Sequence, residues 1–351
     1  MTITINKKEY PLHTLDTGAQ ELSKKRWDSI AKPLHSLGKM EDLVIQTAGI
    51  TGDANVTYEK KALIVMCADN GVVAEGVTQS EQNVTAIVSE NFLSDKATAA
   101  ILCKQTGAEI FPIDIGIAVD TKLENHKIAY GTKNMAKEPA MTREEAEKAM
   151  EVGIEKVREL SEQGYKIIAT GEMGIGNTTT SSALASYFLQ EDVEKMTGRG
   201  AGLTSKALEK KIAVVRKAIA DYSPAFTDAI DALAALGGFD IAGMAGVFLG
   251  GAIYRVPIVM DGFISSTAAL TATRICPACK DFIMASHVSK EPAAEKILAA
   301  MDKEAALHCD MCLGEGTGAV TLFPILDLAT QIYEQMSTFE DIEIDAYVEL
   351  K

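Results

Sequence analysis

No stretch of this chain is apolar for long enough to cross a bilayer. The longest uncharged stretch in its most apolar region, IAGMAGVFLGGAIY between Asp240 and Arg255, has 14 residues, where a spanning helix needs about 20. Rich in Gly and Ala, it reads as a buried helix. The opening residues MTITINKKEY lack the apolar core of a signal peptide, which points to a cytoplasmic protein. Positive charge is also scarce. The 34 Lys and Arg against 49 Asp and Glu leave a net charge of −15. That is the wrong sign for a nucleic-acid partner, although a small anion held by local groups stays open. Six cysteines are too few for a disulfide scaffold in 351 residues, so reduced thiols are expected. The five histidines stand at 13, 35, 126, 287 and 308. Only His308 adjoins a cysteine pair, and His287 reads as a loop donor. There is no internal repeat and no low-complexity segment.

What is present is an alternation of strands and helices in a chain long enough for two domains or lobes. The first ~50 residues carry apolar side chains at helical spacing, broken at Lys32-Pro33. ALIVMC (Ala62–Cys67) predicts a strand that ends at the turn signal ADNG. A helix is expected from about Ser80 to Gln105, then a strand over EIFPIDI (Glu109–Ile115). Thr142-Arg143-Glu144-Glu145 is a capping box opening a helix toward Ser161. KIIAT (Lys166–Thr170) predicts a strand, followed by the Gly loop and helix of GEMGIGNTTTSSALASYF. Helices follow over Ser205–Tyr222, Thr227–Leu236 and Asp240–Tyr254. Then come a strand at VPIVM (Val256–Met260), a helix at SSTAALTAT and a strand at DFIMAS. This alternation implies an α/β fold with a Rossmann-like open, mostly parallel sheet and helices on both faces. Ligands in such sheets sit beyond the C-terminal strand ends, which carry ADNG, TGEMGIGN and MDGFISS.

Several short stretches carry chemistry. In LGEGTGA (Leu313–Ala319) a lone carboxylate, Glu315, stands between two glycines, where it could reach a substrate unobstructed or be a solvated acid at a helix entry. GEMGIGN places Gly171, Gly174 and Gly176 between a strand and a helix. It lacks the G-x-G-x-x-G spacing of dinucleotide loops, and Asn177 stands where a Walker loop has Lys. It is either a tight turn or an anion site of backbone N–H groups with Asn177 or Thr178 as cap. TGRGAGL (Thr197–Leu203) is a second Gly loop with a cation, Arg199, and Lys210 and Lys211 follow on the next helix. VPIVMDGFISS loosely resembles the loop that holds phosphoribosyl pyrophosphate, but has one acid, Asp261, instead of two. The pairs Cys276/Cys279 and Cys309/Cys312 could offer four thiolates to zinc. The 29 residues between the pairs make a zinc ribbon a poor fit.

Taken in order, GEMGIGNTT, TGRGAGL, ALGGFDIAGMAG, VPIVMDGFISS, SHVSKEP and LGEGTGA resemble the nicotinate-nucleotide:dimethylbenzimidazole phosphoribosyltransferases. ADNGVVAEGV, GTKNMAKEPAMTREEA and KPLHSLGKMEDL extend the resemblance over nearly the whole chain. It implies transfer of ribose 5-phosphate from nicotinate mononucleotide to an aromatic base, giving the α-ribotide lower ligand of cobalamin. It implies a large α/β domain over about 55–312, with a smaller helical domain from 1–54 and 313–351. It further implies a homodimer, with no metal and no cofactor. A pyridinium leaving group needs no paired acids and no Mg²⁺, which suits the single Asp261.

The family's catalytic base falls on Glu315, and Glu172 is expected to stabilise positive charge on the ribose. Substrate contacts are expected from Gly174, Ile175, Gly176, Asn177, Thr178, Arg199, Gly200, Lys211, Ser265, Ser266, Leu313, Gly314, Thr78 and Gln82. The chain departs from the family pattern at Asn70 (His expected), in the 78–82 segment (Ser and an aromatic expected) and at Ala293 (Gly expected after Pro292). Cys309 and Cys312 are unusual too. Related heterodimeric enzymes ribosylate phenol or p-cresol, so a phenolic acceptor and a paralogous partner chain are alternatives.

Overall fold

A computed structural model describes residues 1–200 and 202–348. The chain opens with an antiparallel hairpin, β1 (Thr2–Ile5) and β2 (Lys8–Pro11), turned at Asn6 and Lys7, both with positive φ. A helical start was expected here. The period-2 alternation of TITI, which buries Ile5, overrides it. Helices α1 (Thr17–Ser29) and α2 (Lys39–Thr51) follow as expected, with the break at Lys32-Pro33 between them.

The main sheet contains β3 (Lys61–Ala68), β4 (Ala108–Gly116), β5 (Glu124–Asn125), β6 (Ile167–Met173), β7 (Ile258–Met260) and β8 (Ile283–Ala285). Their spatial order is β5-β4-β3-β6-β7-β8, and every pair is parallel. The order reverses between β3 and β6, so a crevice opens beyond their C-terminal ends. The expected α/β sheet is therefore present, with β5 as an addition too short to read from sequence.

The single helix expected over 80–105 is two, α3 (Val84–Asn91) and α4 (Thr98–Thr106). Between them lies a short 3₁₀ turn that ends at Asp95, φ 55°. The hydroxyl of Ser94 bonds the carbonyl and side chain of Asn91, local bonding that competes with helix continuation.

The remaining helices are α5 (Arg143–Glu162), α6 (Asn177–Leu189), α7 (Val193–Met196), α8 (Ser205–Tyr222), α9 (Ala229–Leu236), α10 (Phe239–Tyr254), α11 (Phe263–Ile275), α12 (Ala294–Ala300) and α13 (Thr317–Gln335). Thr142 forms the expected capping box on α5, and α8 has the expected bounds. The helix α10 is buried along its length and packs backbone to backbone against α5. A Cβ on Gly246 would collide with the carbonyl of Met150.

The two chain ends meet. Trp27 of α1 lies 5.0 Å, ring centroid to centroid, from Tyr333 of α13, and Arg26 Nε donates to the Tyr333 carbonyl at 2.9 Å. The α13 helix also packs against α2, α4 and β6, so one hydrophobic core runs from the N-terminal hairpin through the sheet to α13. Among the described residues, no helix is long and apolar enough to cross a membrane.

Candidate active site

The loops after β6, β7 and β8 and the segment before α13 enclose a cavity of about 340 Å³. Its position at the C-terminal edge of the sheet is where the strand order predicts a ligand. Of the residues expected from sequence, Thr78, Glu172, Gly174, Ile175, Gly176, Asn177, Thr178, Gly200, Ser265, Leu313, Gly314 and Glu315 all line it. Four do not. Arg199 turns away, its guanidinium donating to the Leu203 carbonyl at 2.6 Å and to the Ser205 hydroxyl at 3.1 Å. Gln82 lies outside the lining, and Ser266 is buried with its hydroxyl 3.4 Å from the Asp261 carbonyl. Lys211 stands directly behind the wall, where its Nζ donates to Thr178 Oγ1 at 2.9 Å and to the Gly198 carbonyl at 3.2 Å.

The segment bearing Glu315 is held in an unusual backbone. Gly314, Glu315 and Gly316 have φ of 93°, 60° and 82°. A non-glycine residue in the left-handed region costs about 1–2 kcal/mol and persists only where its surroundings enforce it. Here the enforcement comes from Asp261. One of its oxygens accepts the Gly318 and Ala319 N–H groups at 2.7 and 3.1 Å, and the other accepts the Gly316 N–H at 3.1 Å. The lone acid of VPIVMDGFISS therefore fastens the start of α13. Gly318 is required by close approach, since a Cβ there would collide with His287 Nδ1.

The Glu315 carboxyl is half-buried, and its Oε2 is buried without a hydrogen-bond partner. Burial pushes its proton affinity up; the N–H of Ala99 at the head of α4 opposes this, and the Asp261 charge adds to it. The carboxyl is thus desolvated, with one oxygen that no hydrogen bond occupies.

Glu172 lies within β6, one residue from its end, level with Met66 of β3. The strand was expected to stop at Thr170, but Gly171 lets it continue, because the Glu315 carbonyl approaches to 2.6 Å of where a Cβ would be. Glu172 accepts the Glu315 N–H at 3.4 Å and the side-chain amide of Asn177. The same amide reaches Asp240 Oδ2 at 3.0 Å. Burial raises the Glu172 carboxyl to about 8; the Asn177 bond opposes this, and the nearby acids Asp240 and Asp261 add to the rise. Asp240 is raised to about 6, again chiefly by burial. Two buried carboxyls sharing one amide cannot both ionise cheaply.

Met173, Phe263 and Ile264 line the cavity with the strand-end loops TGEMGIGN and MDGFISS, whereas Val88, His287, Ser289, Glu291 and Cys312 line it without having been expected there. His287, Ser289 and Glu291 follow β8. Their signal was a run of polar residues after a strand end, which is weak by itself. Cys276 and Cys279 are buried, whereas Cys309 and Cys312 are exposed. Among the described residues, no three His, Cys, Asp or Glu side chains are arranged to share a metal ion.

A family model described as Phosphoribosyltransferase matches residues 12–344. The nicotinate-nucleotide–dimethylbenzimidazole phosphoribosyltransferase of Clostridium acetobutylicum is 49% identical, over 97% of both chains. Its namesake in Acetivibrio thermocellus is 48% identical, over 93% of this chain and 94% of that one. A crystal structure of CobT from Thermus thermophilus superposes with a TM-score of 0.89 at 34% identity, covering 93% of this chain and 99% of that one. With a pocket assembled from the motifs in question and likeness from end to end, the chain belongs to the nicotinate-nucleotide–dimethylbenzimidazole phosphoribosyltransferase family.

Proposed function

We propose that this protein transfers ribose 5-phosphate from nicotinate mononucleotide to an aromatic base of the 5,6-dimethylbenzimidazole type. The products are nicotinate and the α-ribotide that becomes a cobamide lower ligand. A ring nitrogen of the base attacks C1′ of the ribose as the bond from C1′ to the pyridinium breaks. The bonding electrons return to the pyridine nitrogen, so nicotinate leaves without protonation at that nitrogen. The proton of the base passes to Glu315. Glu172 faces the charge that develops on the ribose, and the phosphate lies toward the Gly174–Asn177 loop, Gly200 and Lys211. We place the reaction in the cytoplasm and the active form as a homodimer.

The observation that carries this reading is the cavity-lining Glu315, whose carboxyl is desolvated and whose Oε2 has no hydrogen-bond partner. The occupied oxygens of Asp261 argue against the rival reading, a pyrophosphate donor with Mg²⁺. That acid already accepts three N–H bonds and is not free to bind a cation. Incubation with each donor, with and without EDTA, decides between them; turnover only with the pyrophosphate donor and Mg²⁺ refutes the proposal. Glu315→Gln should keep the fold and donor binding and lose about 10²–10⁴-fold in turnover. A screen of 5,6-dimethylbenzimidazole, phenol and p-cresol as acceptors measures how far the altered 78–82 segment broadens base use.

A further inference from the structure

Four carboxylates line the cavity, those of Glu172, Asp261, Glu291 and Glu315, and no lysine or arginine does so among the described residues. Three have partners or tasks described above. Glu291 does not. It follows β8 and precedes α12, and its carboxylate lies against Gly198, where any Cβ would overlap Oε2 and come within 2.8 Å of Cδ. Oε2 is buried and lacks a hydrogen-bond partner.

Burial raises the proton affinity of Glu291, while the Lys211 ammonium and the Gly200 N–H oppose that rise. Lys211 is itself 1% exposed and is pulled down to about 8 by burial, with Glu291 opposing. Two of its three ammonium protons are spent on Thr178 Oγ1 and the Gly198 carbonyl. One proton remains for an anion. A buried ammonium, a backbone N–H on a Gly loop and a threonine hydroxyl make a subsite for a tetrahedral oxyanion. The anion beside them is Glu291, packed against the same Gly198 whose carbonyl Lys211 holds.

This inference rests on the donor proposed above. We propose that Glu291 is an internal stand-in for phosphate: it stands beside Lys211 and the Gly200 N–H, and must give way when the nucleotide's phosphate enters. A phosphate dianion and a carboxylate cannot share one ammonium at close range without repulsion. The binding of the donor therefore includes the displacement of Glu291. The ribotide product carries the same phosphate, so the returning carboxylate also helps to expel it. Glu291 then sets how tightly any 5′-phosphate is held and keeps product from accumulating on the enzyme.

The test is calorimetric titration of the full-length protein with inorganic phosphate and, separately, with nicotinate riboside, the donor without its phosphate. Glu291→Gln should bind inorganic phosphate at least several-fold tighter than the unaltered protein and leave nicotinate riboside affinity unchanged. Glu291→Asp, which keeps the charge and withdraws it by one methylene, should fall between the two. Lys211→Met should lose phosphate binding. Equal or weaker phosphate binding by Glu291→Gln overturns the proposal. So does an effect confined to the riboside, which would assign Glu291 to the ribose hydroxyls. These titrations need no turnover, so an absence of transfer from nicotinate mononucleotide would sink the proposed function while leaving the role of Glu291 decided by phosphate.

Discussion

At the scale of single residues, the site is governed by how many carboxyls can be charged at once. Glu172 is raised to about 8 and Asp240 to about 6, both first by burial. A carboxyl raised to about 8 holds its proton through neutral pH, and a neutral carboxyl cannot stabilise a cationic ribose. The positive charge must arrive with the pyridinium of the donor, which lowers the proton affinity of Glu172 and lets it ionise. We therefore expect kcat/KM to climb as pH rises toward 8, and Glu172→Gln to lack that limb, as read from pH–rate profiles of both proteins. The same group affects stability. Its folded value lies above its unfolded one, so between about pH 4.5 and 8 the folded chain holds a proton that the unfolded chain has released. Stability must then fall as pH rises across that window, by at most about 1.4 kcal/mol per unit. Denaturant melts should show the gap between Glu172→Gln and the unaltered protein widening in favour of the variant from pH 5 to 8. A constant gap would mean that Glu172 is charged throughout.

At the scale of elements, the decisive connection is the clasp of Asp261 on the first turn of α13. Asp261→Asn leaves one oxygen for the Gly318 and Ala319 N–H groups and turns an NH₂ toward the Gly316 N–H. One donor loses its acceptor, at a cost of about 1–3 kcal/mol. The variant should melt lower and lose kcat more than it gains KM, because the strained backbone at Glu315 loses its restraint. Unchanged kcat would show that the loop holds itself. This also explains what could be read in advance. Glycine-framed Glu315 and the Gly174–Thr178 loop were legible because glycine at fixed offsets has few other uses. Asp261 was visible as a lone acid, but its role depends on an element 55 residues away and could not be read locally. Arg199 was misleading for a similar reason. A cation beside a Gly loop looks like an anion ligand until the Leu203 carbonyl and Ser205 are seen to occupy it.

At the scale of the whole molecule, the parallel sheet and its switch point were legible from alternating strand and helix patterns. The N-terminal hairpin was not, since two four-residue strands carry little periodic signal. Division into a 55–312 domain and a smaller helical domain from the chain ends remains a proposal. It predicts that limited proteolysis nicks exposed loops near residues 53–55 and 309–313 before any cut within the sheet, with fragments identified by mass. Early cleavage inside 55–312 instead would reject those boundaries. Trp27 is the protein's only tryptophan, buried, with Tyr333 tilted against it and Lys32 Nζ 5.3 Å from its ring centroid. The helix that carries Tyr333 begins two residues after Glu315. The emission of Trp27 is therefore a built-in optical gauge of that helix: a shift of α13 as the nucleotide seats changes the field at one indole, with no label attached and no second fluorophore of its kind to obscure it.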